Sequence, residues 1–410
     1  MTNRDLLEAK LLTIKNPPSG MTILSSENGA HLELTTRRRQ IYSVVDSHGE
    51  IVRTVHAWLR SLTGTAGLGN SINTVDQYGR TATYLCRWIE CSGPYSDLSV
   101  DDNILLLARH HLNSWLSDME EHDALAHNTL RSREACIRSF LDWLTTDEAG
   151  KLRSTENSPY GRDDNLRYIT ATPTPRSPRF MDAELLIQIL KGFYNECERC
   201  MFHTQFDTGL RITELVNLTQ GDIPDPSTYN PAYEFIPLCA VRTKGRGGQK
   251  VSKNTLISRA VLNRVKRYHS SHEYKLAPDW DITDPKKPAF LTTNQLKWSR
   301  RNASKQFKEA VLRAKVNPEI ATHWLRHGSA FSVLRSDTGK SYEERMLVVQ
   351  EMLGHASLKA TEIYTHIPPA MLMKLTKAGQ EMNRLHEAEF IRANTFLGPL
   401  QHGEKRGHHA

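Results

Sequence analysis

The stretch from residue 149 to 179, "AGKLRSTENSPYGRDDNLRYITATPTPRSPR", most limits what this chain can fold into. It has little apolar periodicity and four prolines, three of them closely spaced. A proline lacks the N–H that a helix or sheet ladder needs, and it keeps the preceding residue out of helical backbone. The stretch therefore reads as a linker, with one domain before it and another after it. The 410 residues are in any case too many for one ordinary core.

The flanks carry different patterns. The first 30 residues are polar and punctuated by Pro and Gly, and read as a loosely ordered arm. "HLELTTRRRQIYSVVDSHGEIV" contains two short strand-like runs, the second turning at "DSHGE", so residues 1–49 are an arm, partly disordered or short β. Residues 50–148 read as four or five helices. Tyr78, Leu85, Trp88 and Ile89 have helical spacing, and Ile137, Phe140, Leu141 and Leu144 form one apolar stripe. Beyond the linker, "MDAELLIQILKGFYNECERCMFHTQF" is helical, with Asp182 as its N-cap. A short β region at 233–257 encloses the turn "KGRGGQK", and the rest is mostly helical to about residue 395. The fold class is mainly α with a small β-sheet. Residues 180–385 form the second domain and 386–410 a tail.

Charge and cysteine content narrow the function. With 53 Lys+Arg against 46 Asp+Glu the net charge is +7, the sign expected of a partner rich in phosphate. No apolar run reaches the roughly 20 residues that span a bilayer, and the N-terminus lacks a signal-peptide core, so a soluble cytoplasmic protein is expected. Six cysteines without a regular framework fit reduced thiols. Cys197 and Cys200, with His203 on the same helical face, have metal-ligand spacing. A structural zinc needs four ligands, and no second pair supplies them, so buried core thiols are the preferred reading and no metal is expected.

Three separated stretches carry residues suited to one chemistry. In "TGLRITELVNL" Arg211 and Glu214 lie one helical turn apart; alone, this is an ordinary ion pair. "HWLRHGSAF" places His323 three residues before Arg326, and "LGHASLKATEIYTH" places Tyr364 nine residues after His355. Alone, these are capping or turn histidines and a core aromatic.

Together and in this order they resemble the tyrosine recombinase, or phage integrase, family. The resemblance covers roughly residues 180–385, and the helical region before it resembles the family's core-binding domain. It implies a helical DNA-binding domain followed by a mixed α/β catalytic domain that cuts and rejoins duplex DNA through a 3′-phosphotyrosine. By this resemblance Arg211 and Arg326 clamp the scissile phosphate, with His323 and His355 beside them, and Tyr364 is the nucleophile. The family's hairpin lysine matches Lys244, with Lys250 in reserve. Trp324 and Gly328 depart from the residues usual beside His323 and after His327. The implied partners are double-stranded DNA, three further copies of the chain in a tetramer, and an accessory or directionality factor. A type IB topoisomerase and a non-catalytic DNA-binding protein are the alternatives.

The residue types suit that chemistry. A tyrosine hydroxyl ordinarily titrates near 10, so it needs neighbouring cations or a base to become a nucleophile. Two guanidiniums supply such a field and grip phosphate oxygens in a fork, so no cofactor or metal is called for. The segment "NQLKWSRRNASKQFKEAVLRAK" reads as a helix crowding Lys297, Arg300, Arg301, Lys305 and Lys308 on one side. That is either a phosphate-contacting face or a solvated basic one.

Overall fold

The computed structural model describes residues 8–15, 40–63, 70–160, 168–172, 178–242, 251–336, 340–355, 361–365 and 383–398. It divides into two compact units, Met1–Pro175 and Arg176–Thr243 with Lys250–Ala410.

In the first unit β1 (Lys10–Lys15) pairs antiparallel with β2 (Gln40–Val45), Lys10 opposite Val45. Part of the expected loose arm is thus a strand. Its partner lies far along the chain, and such pairing leaves no local signal. β2 sends Tyr42 and Val44 into the core, then turns at Asp46. The Asp46 carboxylate accepts from the Glu50 N–H at 2.8 Å, with Gly49 at φ 85°. Five helices follow: α1 (Arg53–Leu62), α2 (Ile72–Ser92), α3 (Val100–Leu106), α4 (Arg109–Glu121) and α5 (His127–Trp143). The Ser71 hydroxyl caps α2 by accepting from Thr74 N. The predicted stripe Ile137, Phe140, Leu141 and Leu144 is fully buried, and Phe140 meets Trp58 with ring centroids 4.9 Å apart.

Residues 149–160 and 168–172 of the expected linker belong to this unit. Buried Arg153 donates to the carbonyls of Ile104 (3.1 Å), Leu107 and Asn157 (2.8 Å from Nη2). Buried Glu134 accepts from the backbone N–H groups of Ile169 and Thr170. Polar side chains here do the anchoring that apolar periodicity would otherwise reveal, so the sequence pattern looks like a linker.

The second unit opens with α6 (Ala183–Lys191), capped as expected by Asp182, whose carboxylate accepts from Leu185 N at 2.9 Å. α7 (Glu196–Thr208) is buried on nearly every side and is followed by α8 (Ile212–Leu215). β3 (Phe235–Arg242) and β4 (Val251–Ser258) pair antiparallel, Ala240 opposite Lys253. Arg259 pins the "PDPSTYNPAY" loop through the carbonyls of Pro226 (3.2 Å), Asn230 (2.8 Å) and Tyr233 (2.9 Å). Next come α9 (Arg259–His269), α10 (His272–Lys275), α11 (Arg300–Arg313), α12 (Thr322–Leu334) and α13 (Tyr342–Leu353). A last described helix, Arg384–Thr395, runs across the boundary expected at residue 385.

That last described helix packs on α6, α7 and α9 of its own chain. Ala388 and Ile391 enter the core, and buried Arg384 donates to the Asp207 carbonyl at 2.8 Å. Cys197 and Cys200 are buried thiols. Burial pushes Cys197 up to about 12, and its sulfur donates to the Leu291 carbonyl at 2.9 Å. His203 Nδ1 lies 3.2 Å from Arg264 Nη1. Among the described residues no His, Cys, Asp and Glu cluster could hold a metal. No described helix is long and apolar enough to cross a membrane.

Candidate active site

Two turns and two helix ends build the site. α7 stops at Gly209, held at φ 64°, where an added Cβ would stand 2.7 Å from Leu353 Cδ2 and 3.1 Å from Ser329 Oγ. Only glycine fits there without displacing either neighbour. The chain turns at once into Arg211, the N-cap of α8. Glu214, fully buried, accepts from the backbone N–H of Arg211 at 2.9 Å and from its guanidinium at 2.9 Å. Burial would raise the Glu214 carboxyl, but Lys253 and these two Arg211 groups together hold it below the usual range.

Arg326, on α12, is 2% exposed and ties the two turns together. Nη1 donates to the Gly209 carbonyl at 2.7 Å and Nη2 to the Leu353 carbonyl at 2.5 Å. Hydrogen bonds from a charged donor contribute about 1.5–3 kcal/mol each, enough to fix this guanidinium's plane. α13 ends at Gly354, again left-handed at φ 59°, and delivers His355, whose Nδ1 lies 2.9 Å from Thr361 Oγ1. Gly328 explains one departure from the family pattern. A Cβ there would meet Phe206 Cε2 at 2.6 Å and the Met181 carbonyl oxygen at 2.9 Å, so α12 lies tight against its neighbours. Trp324 packs on the core with the Arg179 guanidinium over its ring, 5.4 Å from the centroid.

Tyr364 sits in a short 3-10 turn, Glu362–Thr365, and is 3% exposed. Phe331 meets its ring edge-on at 5.5 Å, and His355 lies parallel at 6.5 Å. Burial pushes the hydroxyl up to about 12, while the Arg326 and Arg211 charges pull it down. Its oxygen lies 3.0 Å from His327 Nδ1. Exposed His323 meets His327 edge-on, ring centroids 4.6 Å apart.

The structure thus brings Arg211, Arg326, His355 and Tyr364 together, with His323 one ring away. Lys244 and Lys250 lie outside the described residues. Sequence reasoning assigned no role to two side chains at this place. His327 follows Arg326 directly, one helical turn after His323. Lys253 is buried on β4, its Nζ 3.2 Å from Glu214 Oε2 and donating to the Met352 carbonyl at 2.9 Å. Its signal was the period-two alternation Lys253, Thr255, Ile257, which are the inward positions of the strand. Arg300, Arg301, Lys305 and Lys308 are exposed on α11, whereas Lys297 lies in the turn before it, bridged to Leu291. Ser299 caps α11 and so starts it later than the basic run suggested. Lys305 pairs with Glu309 at 3.8 Å, and Lys308 donates to the Pro318 carbonyl.

Residues 179–370 match the phage integrase family. The tyrosine recombinase XerC of Serratia marcescens is 29% identical over 248 residues, covering 58% of this chain and 68% of that protein. The tyrosine recombinase XerD of Halalkalibacterium halodurans is 24% identical over 304 residues, covering 73% and 88%. Among solved structures, the Tn1549 transposon integrase (residues 82–397) in complex with circular intermediate DNA superposes with a TM-score of 0.54. It shares 14% identity over 80% of this chain and 99% of that one. A lambda integrase (75–356) dimer bound to a COC′ core site gives 0.52, with 15% identity over 77% and 94%. The two structures share the fold, and the match over residues 179–370 contains Arg211, Arg326, His355 and Tyr364. Residues 179–370 thus form a domain of the tyrosine recombinase, or phage integrase, family of site-specific recombinases.

Proposed function

We propose that this recombinase cuts and rejoins double-stranded DNA at specific sites through Tyr364. The hydroxyl attacks the scissile phosphodiester, forming a 3′-phosphotyrosine ester and releasing a 5′-hydroxyl. A 5′-hydroxyl from a second strand then attacks that ester and frees the tyrosine, so the bond energy is conserved and no ATP is consumed. Arg211 and Arg326 hold the non-bridging oxygens and stabilise the charge that grows on them. His355 donates to the same phosphate, and His323 relays the tyrosine's proton. Lys244, with Lys250 as the alternative, protonates the leaving 5′-oxygen. The exposed cations of α11, with Lys297 beside them, contact DNA phosphates, and Arg176–Ala410 works with the preceding helical unit as a core-binding domain. Four copies assemble on DNA, each supplying one tyrosine, with an accessory or directionality factor, on nucleoid DNA in the cytoplasm.

The observation that carries this reading is a buried tyrosine hydroxyl lying in the field of both Arg211 and Arg326. An ordinary core tyrosine has no use for the field of two guanidiniums, whereas a phosphate and an attacking oxygen need both. The test is Tyr364→Phe on a suicide duplex carrying the protein's own site. The variant should bind as wild type does and form no covalent adduct, since only the attacking oxygen is lost. Adducts that persist would reassign the nucleophile.

A further inference from the structure

We propose that His327 is a further catalytic residue, whose Nδ1 accepts the hydrogen bond of the Tyr364 hydroxyl and aims that oxygen for attack. The inference rests on Tyr364 being the nucleophile and assigns its oxygen a partner. The 3.0 Å contact is of hydrogen-bond length and joins side chains 37 positions apart. Both rings are confined. Tyr364 is held between Phe331 and His355, and His327 lies edge-on to His323 and, at 5.6 Å, to the Tyr364 ring itself. The next residue, Gly328, presses α12 onto Phe206 and the Met181 carbonyl, so the helix cannot carry His327 away from the hydroxyl.

The ring's protonation state suits acceptance. Burial first, then the neighbouring His323, Arg326 and His355, push the His327 imidazole down to about 3. It is neutral at any pH where the protein works, and with its hydrogen on Nε2 the free Nδ1 lone pair is the one that accepts from the hydroxyl. So weak a base would not remove the proton from a hydroxyl pushed up to about 12. The role is to direct the oxygen before attack; as the oxygen attacks, the hydroxyl turns its hydrogen from His327 to the relay through His323. Misplacing a reacting atom by about 1 Å can cost on the order of 100-fold in rate, which sets the size of effect available to an aiming contact.

The test compares His327→Asn with His327→Leu in the full-length protein. Asparagine can place an amide oxygen near the Nδ1 position, whereas leucine fills the space without an acceptor. Single-turnover adduct formation on the suicide duplex is measured alongside duplex affinity and the thermal midpoint. We expect His327→Leu to slow adduct formation about 10- to 100-fold at unchanged affinity. His327→Asn should stay within about fivefold of wild type, and the wild-type to leucine ratio should be flat from about pH 5.5 to 8.5. A folded, DNA-bound leucine variant that cleaves like wild type overturns the proposal. So does an asparagine variant as slow as leucine, or a ratio that titrates in that range, because either would mean that His327 takes the proton. Adduct formation by Tyr364→Phe in the same assay would instead remove the nucleophile assignment.

Discussion

At the residue scale, Lys253 joins parts of the site that lie far apart in the chain. Its ammonium bonds the Met352 carbonyl, one residue before the Leu353 carbonyl held by Arg326, and its partner Glu214 is the group that grips Arg211. Burial lowers it to about 8, although Glu214 opposes that shift. In the unfolded chain the amine keeps its proton to near 10.5, so between about 8 and 10.5 unfolded chains bind more proton than folded ones. This group's contribution to stability is therefore complete above about 10.5 and is lost as pH falls to about 8. Lys253→Met should abolish that rise in urea stability with pH. Near pH 7 it should cost about 1–3 kcal/mol, less than the roughly 3–5 for stranding a buried charge, because Arg211 still holds Glu214. A variant whose urea midpoint keeps the wild-type slope between pH 8 and 10 would contradict this account. Strand alternation in "KVSKNTLIS" made the inward position of Lys253 readable. Its two partners, on α8 and at the end of α13, were not, since nothing local connects residues 214, 253 and 352.

At the element scale, α11 separates a buried face from a basic one. Ala303, Phe307, Ala310 and Val311 enter the core, leaving Arg300, Arg301, Lys305 and Lys308 outside. If that face follows the DNA backbone, Arg300→Ala and Arg301→Ala should weaken binding to all duplexes alike. Each should also lower the slope of log affinity against log salt by about 1. An unchanged slope in both variants would return the face to plain solvation, as would the partners of Lys305 and Lys308 if they held in the complex. α6, with Asp182 as its capping side chain, and α5, with the apolar stripe around Phe140, were legible from the sequence. β1 was not, because its partner strand is remote. The stretch fastened by Arg153 and Glu134 was not legible either, because polar anchoring has no periodicity.

At the scale of the whole molecule, the proposed exchange needs more than one nucleophile, since each Tyr364 opens one strand. The full-length chain mixed with duplexes carrying its site should run in light scattering as four chains with two duplexes. Recombinant product from a complex holding one chain per duplex would rule that assembly out. What the sequence by itself determined is the class of chemistry, and it offered candidate residues to perform it. Two arginines, two histidines and a tyrosine in that order and spacing need no coordinates to be recognised, because residue type carries charge, donors and nucleophilicity. Only the tertiary structure decided which groups touch. The Tyr364 hydroxyl meets His327, with His323 one ring further away, and Arg326 spends two N–H groups on Gly209 and Leu353. The last described helix closes on its own unit. Contacts of this kind depend on the packing of α12 against α7 and α13 and on two left-handed glycines. Side-chain direction and distance across a core follow from packing, and local spacing does not encode them.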